Sequence, residues 1–325
     1  MLVLVTGVAG FIGYHVATAL LARGDTVIGI DNVNDYYSVA LKRARLAQLE
    51  AQSGFTFYQE DIGDPKAIME IVERNKAIEG IIHLAAQAGV RYSLENPYAY
   101  VNSNVMGQVV MLEAARKLER LRCFVYASSS SVYGANEKQP FSVDDPVELP
   151  ISLYAATKRS CELSARTYSH LFKIPACGLR FFTVYGPWGR PDMAAYLFAD
   201  AIVAGRPISV FNEGKMERDF TFIEDIVAGT IAALDRPPTG AVPHKVYNLG
   251  NHKPEPLMRF ISLIEKELGR TAVKDLLPMQ PGDVPSSFAD IEASTRDLGF
   301  YPRTSIDVGI PKFMEWYKQY NKYGH

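Results

Sequence analysis

Only three cysteines occur in 325 residues, Cys123, Cys161 and Cys177. Their number is odd and their spacing matches neither a zinc site nor a secreted disulfide framework, so they read as small buried residues. An excess of charge is missing too: 34 basic residues against 36 acidic ones leave a formal net charge of -2. That removes any electrostatic reason to expect nucleic acid or an anionic membrane surface as a partner. The basic pieces Lys42-Arg43-Ala-Arg45 and Arg116-Lys117-Leu-Glu-Arg120 read as solvated helix faces. No apolar run is long enough to span a bilayer, and Met1-Leu-Val opens a strand without a basic leader, so the chain is expected to be soluble and cytoplasmic. Internal repeats, low-complexity tracts and long linkers are also absent. With 48% hydrophobic and 22% charged residues, what remains is an ordinary folded chain, large enough for two domains or one elaborated one.

The chain opens with Val3-Leu-Val-Thr6, followed by Gly7-Val-Ala-Gly10-Phe-Ile-Gly13. This reads as a buried strand, a glycine-rich turn and a helix whose apolar Phe11, Val16, Leu20 and Leu21 keep helical spacing. In that context the glycines have distinct tasks. Gly7 permits the turn, Gly10 lets backbone approach a pyrophosphate, and Gly13 lets the helix pack on the strand, so that phosphates meet the helix N-terminus. Phe11 and Ile12, in the first turn, join the expected cofactor site. Thr26-Val-Ile-Gly-Ile-Asp31 reads as the next strand, closed by a carboxylate that accepts ribose hydroxyls and repels a 2′-phosphate. Asn32, not arginine, follows Asp31, and the expected cofactor is NAD rather than NADP.

Further strand-like runs recur at Phe55–Tyr58, Gly80–Ala85, Arg122–Ala127 and Pro175–Phe181, separated by helical segments. Strands this apolar are covered on both faces, which predicts an α/β doubly wound parallel sheet. His83 falls inside one of them and reads as a core histidine. Asp64 reads as the N-cap of a helix from Pro65. Turn signals multiply after Phe181, at Gly186–Pro191, Gly205–Pro207 and Arg236–Gly240. A cofactor-binding domain is therefore expected over 1–180 and a mainly substrate-binding one over 181–325. The stretch 246–250 is expected to return as a strand to the main sheet.

Tyr154 and Lys158, four residues apart, share a helix face. Upstream, Ala127-Ser-Ser-Ser-Ser131 ends a strand where open α/β sheets place their ligands. Four hydroxyl residues there suit the binding of sugar hydroxyls. A serine, a tyrosine and a lysine so placed can take a proton from an alcohol while a nicotinamide takes the hydride. The two cations, lysine and oxidised nicotinamide, would lower the tyrosine pKa and make phenolate a usable base.

The glycine pattern, the serine run before Val132-Tyr-Gly134 and the Tyr154/Lys158 pair together resemble the extended short-chain dehydrogenase/reductase family, along the whole chain. The resemblance implies a Rossmann domain with a smaller C-terminal substrate domain. It implies Ser129 as the catalytic hydroxyl, Tyr154 as base and Lys158 orienting the ribose. By the same likeness Asp61 and Ile62 flank the adenine, and Leu84, Ala85, Ala86 and Gln87 line the cofactor channel. Subunits of the family pair through two helices each, here near 98–117 and 152–172, which implies a homodimer. Asp31–Tyr37, Gly89–Tyr92, Arg180–Met193 and Met279–Val284 closely resemble UDP-glucuronate 4-epimerases. Val8 departs from the pattern, standing where alanine is usual in the glycine turn.

That resemblance implies a UDP-sugar oxidised at C4 and reduced again on its other face. A glucuronyl substrate is at risk, because a C4 ketone is β to the C6 carboxylate and favours loss of carbon dioxide. Residues able to hold the carboxylate are Ser128, Ser129, Ser130, Thr183, and Arg190 or Arg91, arginine offering two-point geometry. Arg218 resembles a diphosphate contact, and Gln280 and Asp283 resemble uridine or ribose contacts. Related decarboxylases and dehydratases carry an acid just before the valine-tyrosine-glycine, where this chain has Ser130 and Ser131. The alternatives are a UDP-glucose/UDP-galactose 4-epimerase, a UDP-glucuronate decarboxylase and a non-catalytic dinucleotide-sensing protein.

Overall fold

The structure, a computed structural model, describes residues 1–279 and 284–323. Its centre is a seven-stranded, wholly parallel sheet built from β1 (Leu2–Thr6), β2 (Thr26–Ile30), β3 (Phe55–Tyr58), β4 (Gly80–His83), β5 (Cys123–Ser129), β6 (Ala176–Phe181) and one later strand. Side chains alternate across β1: Val3 and Val5 enter one apolar core, Leu4 the other. Helices α1 (Phe11–Ala22) and α2 (Val39–Glu50) feed the first core. The second takes α3 (Pro65–Arg74), α6 (Gly107–Arg116) and α7 (Leu153–Phe172). Two single-turn helices, α4 (Tyr92–Glu95) and α5 (Pro97–Tyr100), lead into a π-helical stretch over Val101–Met106 that continues as α6. The cysteines are buried thiols, as read from the sequence.

Two strands end two residues away from their sequence reading. β4 stops at His83: Leu84 N still donates to Thr6 O at 3.2 Å, but Ala85 N turns to the Thr6 hydroxyl at 3.1 Å and packs against Gly7, where an added Cβ would stand 2.7 Å from it. β5 runs on to Ser129, so two of the four serines are strand residues with side chains on opposite faces.

The larger difference concerns Lys42 and Arg45, which are buried and not solvated. Leu41, Arg45 and Leu49 recur at helical spacing, which sets Arg45 inside the apolar stripe of α2. The Lys42 ammonium is carried back over the Tyr37 ring, 4.5 Å from its centroid, to Asn34 O and Oδ1, both at 2.7 Å. Val8 is accommodated by Gly29 of β2, where a Cβ would meet Val8 Cγ1 at 2.8 Å.

Beyond β6 the chain forms β7 (Thr183–Tyr185), α8 (Ala194–Val203), β8 (Ile208–Phe211), β9 (Glu217–Arg218), β10 (Phe220–Phe222) and α9 (Ile223–Asp235). The seventh strand of the main sheet, β11 (His244–Leu249), then pairs with β6 from His244↔Ala176 to Leu249↔Phe181. The last elements are β12 (Glu255–Pro256), α10 (Leu257–Leu268), β13 (Lys274–Leu277), β14 (Ser286–Ser287), α11 (Glu292–Leu298) and α12 (Ile306–Tyr320). Small sheets join β7 with β10, β8 with β13, and β9 with β12 and β14, and they wall one side of a cleft. Among the described residues no helix is long and apolar enough to cross a membrane. No cluster of histidine, cysteine or acidic side chains among them could hold a metal ion.

Candidate active site

The strand order β3-β2-β1-β4-β5-β6 reverses direction between β1 and β4, the place where such sheets bind ligands beyond the strands' carboxyl ends. A cleft of about 1060 Å³ opens there. Gly7, at φ +73°, donates its N–H to Ile30 O at 2.8 Å, and Gly10 N–H closes the turn on Gly7 O at 2.9 Å. A Cβ on Gly13 would lie 2.1 Å from Gly7 O, so only glycine lets α1 start this close to β1. The first turn of α1 has neither a side-chain cap nor an acidic residue. Phe11, Ile12 and Gly13 therefore bring uncapped backbone donors to the cleft, which fits a diphosphate.

Asp31 also borders the cleft, its carboxylate fixed by the N–H groups of Ala9 at 3.0 Å and Val33 at 2.8 Å. Burial pushes its pKa up, against those bonds and the Lys42 charge. Both carboxylate oxygens keep lone pairs for ribose hydroxyls. Asn32, Ile62, Leu84, Ala85, Ala86 and Gln87 line the same half. Asp61 is not among the lining residues: its carboxylate accepts from Asn32 Nδ2 at 2.8 Å and Gly63 N at 2.7 Å, so it sets the position of Asn32, which does line the cleft. His83 is the neutral core residue expected, its pKa lowered to about 3 by burial and then by the Lys158 charge.

Ser129, Tyr154 and Lys158 all line this cleft. Ser152 caps α7 by accepting from Ala155 N at 3.1 Å, which sets Tyr154 in the first turn and Lys158 one turn below. The buried Lys158 ammonium donates to Ala127 O at 3.0 Å, tying the helix to the end of β5. Ser129 Oγ accepts from Ser131 N at 3.2 Å, and its own proton is left to offer to a ligand. Tyr154 has the Tyr100 ring edge-on at 6.1 Å. Ser128 behaves differently from the sequence reading. Its hydroxyl donates to Glu162 Oε1 at 2.7 Å, because strand alternation turns it from Ser129's side toward α7.

Glu162 also accepts from Arg180 Nε at 2.8 Å, Arg180 Nη2 at 2.9 Å and Arg159 Nη1 at 2.9 Å. Burial raises the carboxyl pKa, but the Arg180 bonds and charge outweigh it and hold the group below its ordinary value. An ionised Glu162 is no proton donor for elimination or decarboxylation.

Thr183 and Arg190 line the far wall with Ser130, Arg91 and Arg218. The Arg190 fork is already engaged: Nε donates to Asp192 Oδ1 at 3.0 Å and Nη2 pairs with Oδ2. Burial works against the charge, yet Asp192 drives the guanidinium pKa up. The two-point hold on a substrate carboxylate foreseen from sequence is thus restricted to what the Nη1 side can reach. Asp192 Oδ2 also accepts from Tyr36 OH at 3.2 Å, and burial followed by the Asp192 charge pushes that phenol up to about 12. Arg91 lies over the Phe211 ring at 4.9 Å, and Arg218 Nη1 donates to Glu217 O at 2.8 Å. Gln280 and Asp283 lie outside the described residues.

The family model for the NAD dependent epimerase/dehydratase family matches residues 3–250. The chain belongs to this family. Over 99% of its length it is 47% identical to the whole of Protein CapI of Staphylococcus aureus. Over 99% it is 46% identical to 98% of the probable UDP-glucuronate 4-epimerase of Rhizobium meliloti (strain 1021). Among solved structures, the UDP-glucuronic acid 4-epimerase of Bacillus cereus in complex with UDP-glucuronic acid and NAD superposes with a TM-score of 0.91. The identity there is 35%, covering 98% of this chain and 100% of that one.

Sequence reading missed two residues that hold this site together, Asn104 and Asp192. Asn104, in the π-helical stretch, accepts from Gln87 N at 2.8 Å and donates to Gln87 O at 3.1 Å and Thr157 Oγ1 at 3.0 Å. It joins the cofactor wall to the helix of Tyr154 and Lys158. A helix one residue wider per turn leaves no local signal in the sequence. Asp192, by contrast, stood two residues from Arg190, where an acid is an obvious partner.

Proposed function

We propose that the chain catalyses NAD-dependent 4-epimerisation of a UDP-hexuronic acid, converting UDP-glucuronate to UDP-galacturonate without decarboxylation. One observation carries the reading: a single cleft joins the glycine turn and Asp31 to Ser129, Tyr154 and Lys158, and these to Thr183 and Arg190. The relatives named as UDP-glucuronate 4-epimerases, matched along nearly the whole chain, support it. The chemistry supplied at the cofactor position is reversible hydride acceptance. Tyr154 takes the C4 hydroxyl proton as that carbon is oxidised, and Ser129 donates to the same oxygen. Lys158, anchored on Ala127 O, orients the ribose beside them. The proton returns from Tyr154 once the 4-keto sugar has presented its other face. Through both steps Thr183, Ser130 and the Nη1 side of Arg190 hold the C6 carboxylate so that its bond to C5 stays out of line with the ketone π-system.

Residues 1–180 with β11 hold the cofactor in this reading, and most of 181–325 shapes the substrate side. The exposed Tyr98, Val101 and Met106 before α6, with Leu163 and Leu171 on α7, supply the apolar surface through which two subunits pair. Incubation with UDP-glucuronate and no added reductant should give a mixture of the two uronates with little pentose, resolved by chromatography or NMR. UDP-pentose as the main product would make the chain a decarboxylase. Turnover of UDP-glucose and UDP-galactose alone would show that Arg190 has been misread.

A further inference from the structure

Arg45 has no exposed surface, yet among the described residues its hydrogen-bond partners include no carboxylate. Nη1 donates to Ala9 O and to the Tyr37 hydroxyl, both at 2.8 Å. Nη2 donates to Trp188 O at 2.6 Å and reaches Gly189 O at 3.4 Å. Nε is buried without a hydrogen-bond partner among the described residues. A buried cation whose hydrogen bonds all go to neutral groups, with the Asp31 charge reaching it only through space, is expensive, and it persists where several rigid elements converge on it.

The two ends of this bridge are informative. Ala9 belongs to the glycine turn, and its N–H is already held by Asp31 at 3.0 Å, so both of its peptide groups are pinned, one by each side chain. Trp188 and Gly189 directly precede Arg190. Their loop is fastened a second time by His15 Nε2, 2.8 Å from Pro187 O. Trp188 itself sits at φ +61°, a left-handed conformation a tryptophan keeps only where its surroundings enforce it. The arginine expected to meet the sugar is therefore displayed from a loop anchored to the cofactor-binding half.

We propose that Arg45 is a positioning residue that locks the glycine turn and the Arg190 loop in one register, so that cofactor retention and the hold on the C6 carboxylate depend on one buried guanidinium. The carboxylate part rests on the 4-epimerase reading; the coupling of turn and loop does not.

The test compares Arg45→Met, which removes charge and donors, with Arg45→Lys, which keeps the charge but cannot span both ends as a fork. Ser169→Ala serves as the control, because it deletes a buried 2.7 Å bond to Ile174 O at the far end of α7. Three quantities are read: NAD(H) released on denaturation, acrylamide quenching of tryptophan fluorescence, and the pentose share of product from UDP-glucuronate. The chain has two tryptophans, and Trp188 lies 5.4 Å from Trp316, so quenching reports on this loop. Arg45→Met should weaken NAD binding about tenfold, the equivalent of one charge-assisted hydrogen bond. It should also raise both quenching and the pentose share, a ratio insensitive to how much enzyme is folded. Arg45→Lys should fall between Arg45→Met and the parent, and Ser169→Ala should match the parent in all three. Parent-like NAD content or parent-like quenching in folded Arg45→Met overturns the coupling, and Arg45→Lys decides by the same readouts if Arg45→Met does not fold. A parent that makes no uronate product overturns the 4-epimerase reading, while the first two readouts still decide the role of Arg45.

Discussion

At the scale of single residues, neighbouring side chains in this cleft have divided labour that their sequence positions do not announce. Tyr154 borders the ligand space with the Tyr100 ring set T-shaped against its own. Tyr154→Phe should keep the fold and the bound NAD and lower turnover by about 10²–10⁴-fold, the usual share of a general base. Near-parent turnover in that variant would remove Tyr154 from the chemistry. Glu162 carries a different burden, with three arginine nitrogens and the Ser128 hydroxyl on one buried carboxylate. Glu162→Gln should destabilise the protein by roughly 3–5 kcal/mol, as happens when one partner of a buried pair is removed. The variant's urea midpoint measures this, and an unchanged midpoint would mean that the arginines find other counter-charges. Because Glu162 titrates below its ordinary value of 4.5 when folded, its contribution is complete above that value and is lost as pH falls through the depressed one.

At the scale of elements, the pieces legible in the sequence are those whose signal is local. The strand-turn-helix around Gly7, Gly10 and Gly13 needed only apolar spacing and three glycines. Asp64 was legible for the same reason: it caps α3 by accepting from Lys66 N at 2.9 Å and Ala67 N at 3.2 Å. Asp64→Ala should cost about 1 kcal/mol, since the cap lies at the surface and water replaces it in part. A thermal midpoint within error of the parent would show that Pro65 alone starts the helix. What escaped was decided by partners far along the chain. The helical period gave α2 a face but not the Trp188 and Gly189 carbonyls, some 140 residues on, that make Arg45 a buried residue. Ser128 is instructive, because it borders the cleft beside Ser129 while strand alternation gives its hydroxyl to Glu162, which becomes legible only once β5 is extended through both serines. Arg190 was identified by type and position, while its usable edge depended on Asp192 and Tyr36.

At the scale of the whole molecule, three histidines are held neutral by burial. His83 is lowered to about 3, and His15 and His244 to about 4, desolvation being the first cause in each. The unfolded chain binds protons at these positions near pH 6.5 and the folded chain does not. Stability is therefore whole above that pH and falls as it drops toward 4, with up to three protons taken up on unfolding. Urea midpoints measured at intervals between pH 7 and pH 5 should decline, and a flat series would contradict the burial assigned to these rings. The main sheet draws its seventh strand from far beyond the other six. During synthesis β6 emerges more than sixty residues before β11, and every one of its residues from Ala176 to Phe181 is buried in the finished protein. Until β11 arrives, that strand is a bare apolar edge, open to pairing with any other extended chain. The two halves of the molecule thus depend on each other from birth. A fragment ending near residue 182 should aggregate even though it contains the glycine turn, Tyr154 and Lys158, whereas one ending after β11 should at least protect the edge.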